Sequence, residues 1–338
     1  MTTYYRPILQ SDPHRPDDAV TLAGGWLWFT HVAVSGREQP DRLLPALELP
    51  ADVRARLTTP RAALAGLLLD SPRIMGILNV TPDSFSDGGL FDDPAAALAH
   101  ARAMEVAGAD ILDIGGESTR PGAAEVTIAD EIARTAPVIA AIRADSAVPI
   151  SIDTRKAAVA QAALAAGASM VNDVAAFTFD PELADVTAKA QVPVCLMHAQ
   201  GDPETMQADP RYDDVLHDVY DFLEARVALA EAAGIPRHRI VVDPGIGFGK
   251  TLQHNVTLLR GISLYHSLGC AILLGASRKR FIGTLGHAPD AQDRMPGSLA
   301  VALHGVAQGV QILRVHDTKE MRQALNLHMT MSGQVADD

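Results

Sequence analysis

The run from Asp243 to Lys250 places a carboxylate, three glycines and a lysine within eight residues. It follows the apolar segment Ile240–Val242, which predicts a buried strand, so the carboxylate stands at the exit of that strand. Glycines there allow a backbone to approach a ligand closely, and the flanking charges suit a small polar heterocycle or an anion. The run is not a P-loop, which requires glycine where Pro244 stands, nor a dinucleotide fingerprint, whose third glycine would fall on Lys250.

Further polar residues stand at or just after the ends of other short apolar segments. They are Asn79, Asp113, Asp153, Asn172, His198, Lys279, Arg314 and His316. A carboxylate accepts two parallel N–H bonds, an asparagine both donates and accepts, and an ammonium only donates. The four that together suit the edge of a 2-amino-4-oxo pyrimidine are Asp153, Asn172, Asp243 and Lys279. A helix N-cap remains an alternative for each aspartate alone, above all for Asp153 before Thr154.

Two loops follow the first two apolar segments. Residues 79–89 are rich in Asp, Ser and Gly and include Phe85; such a loop folds over a ligand or forms an ordinary polar turn. The second loop, residues 113–122, combines Ser118, Thr119 and Arg120 with glycines. That composition suits a phosphate group, with a plain solvent loop as the alternative.

Two histidines are candidates of different quality. Arg314 and His316 flank Val315, so on a strand they share one face and can reach the same anion. His198 follows Cys195 by three residues, which resembles half of a metal site, but the sequence holds no second half. A structural histidine is an equal alternative there.

The composition limits the classes of function. The 338 residues carry a formal net charge of −13 and are 48% hydrophobic, which argues against general nucleic-acid binding. No apolar run approaches the roughly 20 residues of a membrane span. The N-terminus lacks the pattern of a signal peptide, and Cys195 and Cys270 are expected to be structural thiols. We therefore expect a cytoplasmic protein without nucleic-acid or membrane partners.

From about residue 73, short apolar segments alternate with alanine-rich amphipathic ones. The predicted strands are Ile74–Asn79, Ile111–Ile114, Ile150–Asp153, Met170–Asn172, Val194–Met197, Ile240–Asp243, Ala271–Gly275 and Ile312–Val315. Eight strand–helix units predict an α/β fold, a (β/α)8 TIM barrel, with a doubly wound open sheet as the rival. The barrel is favoured because it gathers the polar strand exits on one face.

Three parts are expected along the chain. Residues 73–333 form the barrel and residues 334–338 a C-terminal tail. Residues 1–72 form an N-terminal extension that packs on the barrel, over its N-terminal end. Strands are predicted in this extension around Trp26–Phe29 and Val32–Val34, and a helix over Arg61–Leu69.

The motifs and their order resemble the dihydropteroate synthases of folate biosynthesis. The matching segments are Gly76–Gly89, Gly116–Gly122, Ser151–Thr154, Val171–Asp173, Leu196–His198, Asp243–Lys250, Ser277–Lys279 and Arg314–His316. The resemblance implies a pterin-binding TIM barrel that condenses 6-hydroxymethyl-7,8-dihydropterin pyrophosphate with 4-aminobenzoate to give 7,8-dihydropteroate and pyrophosphate. It also implies a dissociative mechanism, which requires charge placement and alignment rather than a nucleophile.

The resemblance further implies roles for individual residues. Asn79 would bind a Mg²⁺ ion that bridges the pyrophosphate. Catalysis is assigned to Asn79, Lys279, Arg314 and His316. The pterin is assigned to Asp113, Asp153, Asn172, Met197, Asp243, Lys279 and Arg314. The pyrophosphate and 4-aminobenzoate are assigned to Pro82, Phe85, Ser118, Thr119, Arg120, Phe248, Arg280 and His316.

Arg280 departs from the family, in which a small hydroxyl residue often follows Ser-Arg-Lys. A cation at this position is compatible with the benzoate carboxylate.

Two other functions are alternatives for a pterin-binding barrel. A pterin-binding methyltransferase domain would need neither the two loops nor a pyrophosphate clamp. A catalytically silent pterin-binding paralogue is expected to have lost a loop or a clamp residue, and none is lost. The family also implies a homodimer formed through barrel helices, and sulfonamide sensitivity.

Overall fold

The computed structural model describes residues 2–81, 94–118, 125–201 and 206–334. Its centre is a closed barrel of eight parallel strands that pair in chain order, the last with the first. The strands are β1 (Arg73–Asn79), β2 (Ile111–Gly115), β3 (Ile150–Asp153), β4 (Met170–Asp173), β5 (Val194–Met197), β6 (Ile240–Asp243), β7 (Ala271–Leu274) and β8 (Ile312–Val315). All eight predicted strands are therefore present, and the open sheet is excluded.

Helices cover the outside of the barrel between these strands. They are α1 (Pro94–Val106), α2 (Ile128–Arg143), α3 (Ala157–Ala166), α4 (Glu182–Ala190), α5 (Val215–Ala232), α6 (Leu252–Gly261), α7 (Arg280–Leu285), α8 (Met295–Ala307) and α9 (Thr318–Met331). Helix α2 starts at an N-cap, where the Thr127 hydroxyl accepts from the N–H of Asp130. After α1 the backbone turns at Gly108 with φ +95°, a value that glycine adopts without strain.

The inside of the barrel changes from apolar to polar along the strands. An apolar cluster near the strand beginnings contains Met75, Ile111, Met170, Cys195, Val241, Leu273 and Ile312. Two positions further along, the corresponding residues are Ile77, Asp113, Asn172, Met197, Asp243, Gly275 and Arg314. Because residues i and i+2 of a strand face the same side, these side chains form the next layer toward the C-terminal mouth. The site thus has an apolar floor.

Leu64 and Leu69 of the N-terminal extension belong to the same apolar cluster, so the extension closes the barrel at the strand beginnings. The helix predicted over Arg61–Leu69 is wrong. Leu64 and Leu67 pair as an antiparallel bridge around a turn at Ala65 and Gly66, both with positive φ. The spacing of the leucines resembles that of an amphipathic helix, but here Leu64 and Leu69 fill the end of the barrel from an irregular segment.

The rest of the extension lies against α5 and the 3-10 helix Ile262–Leu268. It contains an antiparallel sheet of Tyr4–Pro7, His31–Gly36 and Gln39–Pro45, a strand pair of Val20–Thr21 and Trp28–Phe29, and a helix, Ala51–Thr58. The Tyr4 hydroxyl donates to Asp221 of α5 at 3.0 Å, and the Trp26 indole donates to the carbonyl of Val306 at 3.1 Å. Within the described residues, no helix combines the length and apolarity needed to cross a bilayer.

Candidate active site at the barrel mouth

Arg314 links three strand exits at the mouth. Its Nε donates to Oδ2 of Asp113 at 2.6 Å, and its Nη2 donates to Oδ2 of Asp153 at 2.7 Å. The same oxygen of Asp113 accepts from Nδ2 of Asn172 at 3.2 Å. The other oxygen, Oδ1 of Asp113, is buried and has no protein hydrogen-bond partner. A buried carboxylate oxygen without a donor is a place for a ligand N–H.

Asp243 and Lys279 form the other half of the polar layer. Oδ1 of Asp243 accepts from the N–H of Gly245 at 2.7 Å, where φ is +69°. Lys279 Nζ donates to the carbonyl of Ile246 and lies 4.2 Å from the centre of the Phe248 ring. A Cβ at Gly275 would stand 3.6 Å from Oδ2 of Asp243, so the glycine keeps this carboxylate accessible. The site therefore offers acceptors and one ammonium side by side.

Burial shifts the titration of these groups. It raises the pKa of Asp153 to about 7, an effect that Arg314 opposes and Asp113 reinforces. It likewise raises the pKa of Asp243, against the influence of Lys279 and the Gly245 N–H. Burial lowers the pKa of Lys279 to about 7, although Asp243 opposes the shift. Burial also opposes the charge of Arg314, but Asp113 and Asp153 outweigh it and raise that pKa. Because the pKa values of Asp153 and Lys279 are both about 7, a charged ligand can change the protonation of either group.

Asn79 stands at the exit of β1, beside Gly115 at the end of β2. A Cβ on Gly115 would lie 3.5 Å from Oδ1 of Asn79 and 3.5 Å from Cβ of Asp153. The missing side chain therefore leaves room between the amide oxygen and the carboxylate. Within the described residues, no group of three or more His, Cys, Asp or Glu side chains is arranged to hold a metal ion.

His316 is held by the neighbouring strand exit. The Ser277 hydroxyl lies 3.2 Å from the His316 backbone nitrogen and 3.0 Å from its ring Nδ1. One residue further along both segments, the Arg278 guanidinium pairs with Asp317 through Nε at 3.0 Å and through Nη2. These two cross-links join the end of β7 to the end of β8, which sets Lys279 and His316 relative to each other.

The remaining candidate residues lie around this polar layer or outside the described residues. Met197 is buried at the end of β5, two positions after Cys195 of the barrel floor. Phe248 is half-buried below Lys279, whereas Arg280 is exposed at the start of α7. Ser118 follows the end of β2 and has contacts of its own. Four candidates lie outside the described residues: Pro82, Phe85, Thr119 and Arg120.

His198 and Lys250 contact each other inside the protein. Both are buried, and Nζ of Lys250 lies 2.9 Å from Nδ1 of His198. The lysine also donates to the carbonyl of Phe248 at 2.9 Å. The cation that ends the glycine run is thus used inside the protein, and the histidine is its partner rather than half of a metal site.

A buried ionic cluster at the base of the second loop had no motif in the sequence. Glu117 accepts from Arg155 at 2.9 Å, and from Lys156 and the N–H of Val126 at 3.0 Å. Lys156 also donates to the Val126 carbonyl at 2.6 Å and to Glu131 at 2.8 Å. Both ends of the loop are therefore joined at one point. The one available signal was Glu131, a charged residue at a core-facing position of α2.

Known proteins resemble this chain along the whole barrel. The family model of pterin binding enzymes matches residues 75–316. The dihydropteroate synthase of Neisseria meningitidis serogroup C is 50% identical over 260 residues, which cover 76% of this chain and 92% of that protein. The structure of dihydropteroate synthase from Xanthomonas albilineans with 4-aminobenzoic acid superposes with a TM-score of 0.75 at 46% identity, over 79% of this chain and 96% of that one.

A second structure, that of Yersinia pestis dihydropteroate synthase with a sulfonamide drug complex, gives a TM-score of 0.77 at 44% identity, over 80% of this chain and 99% of that one. These alignments reach nearly the full length of the relatives while leaving about a fifth to a quarter of this chain unmatched. The matched part holds the barrel and the polar layer at its mouth. The chain therefore belongs to the pterin-binding enzyme family, among its dihydropteroate synthases.

Proposed function

We infer that this chain condenses 6-hydroxymethyl-7,8-dihydropterin pyrophosphate with 4-aminobenzoate to give 7,8-dihydropteroate and pyrophosphate. One observation carries the inference: a layer of complementary acceptors and donors at a single barrel mouth. Its members are Asp113, Asp153, Asn172, Asp243, Lys279 and Arg314. A pterin carries adjacent N–H donors beside ring and carbonyl acceptors, so it pairs with such a layer, and a wrong ring leaves buried groups unpaired.

The geometry supports a division of labour in the reaction. The C–O bond to pyrophosphate breaks, the C–N bond to the arylamine forms, and the amine releases a proton. We assign Asp243 and Lys279 to hold the pterin edge, and the carboxylates of Asp113 and Asp153 to stabilise positive charge on the pterin methylene. The contacts of Arg314 with these two carboxylates use Nε and Nη2, which leaves Nη1 for the departing pyrophosphate. His316, fixed by Ser277, completes this clamp.

Magnesium is part of the proposal, with Asn79 as its protein ligand. The space beside Gly115 and the lack of a carboxylate cage among the described residues suit an ion that is held mainly by water and phosphate oxygens. Bound there, such an ion would neutralise charge on the leaving pyrophosphate. Calorimetry of inorganic pyrophosphate with and without Mg²⁺ tests this. Asn79→Ala should lose the Mg²⁺-dependent part of the binding, and an unchanged profile would exclude the role.

The 4-aminobenzoate site is proposed near Phe248, with the exposed Arg280 facing the carboxylate. The Xanthomonas albilineans relative was solved with 4-aminobenzoic acid and the Yersinia pestis relative with a sulfonamide complex, so we expect sulfonamides to compete with 4-aminobenzoate here. Arg280→Ser should change 4-aminobenzoate affinity. An unchanged affinity would show that this arginine points elsewhere.

A homodimer in the cytoplasm completes the proposal. Leu327 and Met331 of α9 are exposed, as are Ala300 and Ala307 of α8, and we assign these two helices to the contact with a second copy. Light scattering of the purified protein measures the assembly. Both cysteines are buried and unpaired, as expected in a reducing compartment, and cell fractionation tests the location.

Turnover separates the proposed function from its rivals. Pyrophosphate release that requires both substrates and Mg²⁺ is expected from the purified protein. A silent pterin-binding paralogue would bind the pterin without releasing pyrophosphate. A methyltransferase domain would bind a pterin and remain indifferent to 4-aminobenzoate.

A further inference from the structure

The glycine turn after β6 is held by side chains along its whole length. Four consecutive carbonyls, those of residues 246 to 249, each accept a bond from a different side chain. The donors are Lys279 to Ile246, Gln207 to Gly247 at 2.5 Å, Lys250 to Phe248 at 2.9 Å and Tyr212 to Gly249 at 2.8 Å. A turn rich in glycine is flexible by itself, so these donors help to decide where its aromatic side chain, Phe248, lies.

Lys250 is the most buried of these donors, with 3% of its surface exposed. Its Nζ lies 2.9 Å from His198 Nδ1, 2.9 Å from the Phe248 carbonyl and 3.4 Å from the His198 carbonyl. An ammonium has three N–H donors, and these three acceptors satisfy them. In the described part of the chain Lys250 makes no ion pair with a carboxylate. Burial lowers the pKa of Lys250 well below its usual value, so hydrogen bonds to these acceptors, rather than an ion pair with a carboxylate, hold the side chain in place.

The turn and the exit of β5 are pressed together at this point. A Cβ on Gly245 would lie 1.8 Å from the His198 carbonyl oxygen, and one on Gly249 would lie 2.3 Å from that of Gln200. Lys250 therefore spans a contact between two backbones that cannot move closer. On the other side of the turn, the Phe248 ring lies 4.2 Å from Nζ of Lys279. A shift of the Phe248 backbone would move the ring from below that ammonium.

We propose that Lys250, clasped by His198, is a positioning residue for the aromatic substrate: it fixes the Phe248 backbone and so the ring that faces 4-aminobenzoate. This inference rests on the proposed function, in which Phe248 lines the 4-aminobenzoate site. Lys250 itself does not touch substrate. Its alternative role is that of a remote charge supporting Asp243, which would act on the pterin instead.

The kinetic constants of Lys250→Met distinguish the two roles. We expect KM for 4-aminobenzoate to rise about tenfold, the effect of losing one buried hydrogen bond to the Phe248 carbonyl, with KM for the pterin substrate within about twofold. Lys189→Met, at an exposed position of α4, is the matched control and should change neither. An equal rise in both KM values, or a rise for the pterin alone, would overturn the proposal.

A double-mutant cycle with Phe248→Ala tests the route of the effect. If Lys250 acts through the phenyl ring, Lys250→Met has no further effect on KM for 4-aminobenzoate once the ring is gone. Full additivity would overturn the proposal. Wild-type protein without turnover would instead contradict the proposed function, so the two failures are distinguishable.

Substitution of His198 covers the case in which Lys250→Met does not fold. His198→Asn keeps an acceptor near the position of Nδ1, whereas His198→Leu removes it. We expect the leucine variant to reproduce the selective rise in KM for 4-aminobenzoate and the asparagine variant to stay close to wild type. Equal behaviour of the two variants would contradict the clasp.

Discussion

Nε of Arg314 lies 2.6 Å from Oδ2 of Asp113, although the two residues are 201 positions apart in the chain. The bond passes from β8 to β2 across the intervening strand β1. It is a charge-assisted bond between a half-buried arginine and a buried aspartate, and the same guanidinium also reaches Asp153. The bond therefore requires that β8 has paired with β1 and closed the barrel.

Replacing Arg314 should affect binding and stability in separable ways. Arg314→Ala leaves Asp113 and Asp153 without their cation and should lower turnover by at least about 100-fold, with pyrophosphate affinity reduced more than 4-aminobenzoate affinity. Arg322→Ala is the matched control. Arg322 pairs with Asp110 at 2.6 Å at the opposite end of the barrel, so its loss should reduce the unfolding temperature and leave the kinetics intact. Equal losses of pyrophosphate and 4-aminobenzoate affinity would argue against the clamp.

Asp243 should govern recognition of the pterin. Asp243→Asn keeps the shape of the side chain but replaces an acceptor by a donor that opposes the ring N–H groups. We expect pterin affinity, measured by calorimetry, to fall by at least about 100-fold while the thermal unfolding curve stays cooperative. Asp243→Ala should have a similar effect on pterin affinity. If either variant bound pterin as well as the parent, the assignment of this carboxylate would be wrong.

Lys279 should make stability depend on pH. Its pKa is about 7 in the fold against 10.5 for the free side chain. Below pH 7 both states are protonated and the fold carries the full penalty of burying the charge; as pH rises from 7 toward 10.5 the fold has already released the proton and that penalty disappears. Lys279→Met should therefore raise the unfolding temperature, relative to wild type, most at pH 6 and least near pH 10.

The titration of Asp243 adds to this trend. Loss of Lys279 removes the cation that opposes the raised pKa of Asp243, so that pKa rises further and the variant becomes less stable as pH increases. The relative gain of Lys279→Met should thus decline steadily in thermal unfolding scans from pH 6 to pH 10. Lys189→Met should give a flat difference over that range. A gain that grew with pH would contradict the lowered pKa of Lys279.

The ionic cluster under the second loop should contribute strongly to the stability of the fold. Lys156→Met leaves the buried carboxylates of Glu117 and Glu131, with side-chain exposures of 3% and 0%, without their shared cation. We expect a loss of about 3–5 kcal/mol in the free energy of unfolding, measured in urea. Adding Glu131→Gln to this variant should recover part of the loss. No recovery would mean that the charges are not the cause.

The N-terminal extension should contribute stability through its plug. Leu64 is 1% exposed in the barrel floor, whereas Leu68 of the same segment is 60% exposed. Leu64→Ala should lower the free energy of unfolding by about 2–5 kcal/mol, and Leu68→Ala should change it by no more than about 0.5 kcal/mol. Similar values for the two variants would show that the segment does not seal the barrel.

Much of this fold is encoded locally. A strand covered on both faces must be apolar along its length, so the eight strands stand out in the sequence and their ends agree with the structure to within one residue. The polar residue at each exit follows from the same pattern. Parallel strands of a closed barrel bring their exits together, which explains why Asp113, Asp153, Asn172 and Asp243 meet at one mouth. The extension was less predictable, since the leucines of Arg61–Leu69 fit a helix equally well.

What the sequence determined by itself was the order of strands and helices and the residue offered at each strand exit, because both depend on side chains a few positions apart. Only the tertiary structure decided the partners: Arg314 with Asp113, Lys250 with His198, Glu117 with Lys156, and Leu64 with the barrel floor. Such pairings depend on barrel closure and on which polar groups then surround each buried side chain. No local pattern contains that information, since the partner comes from another strand, helix or loop.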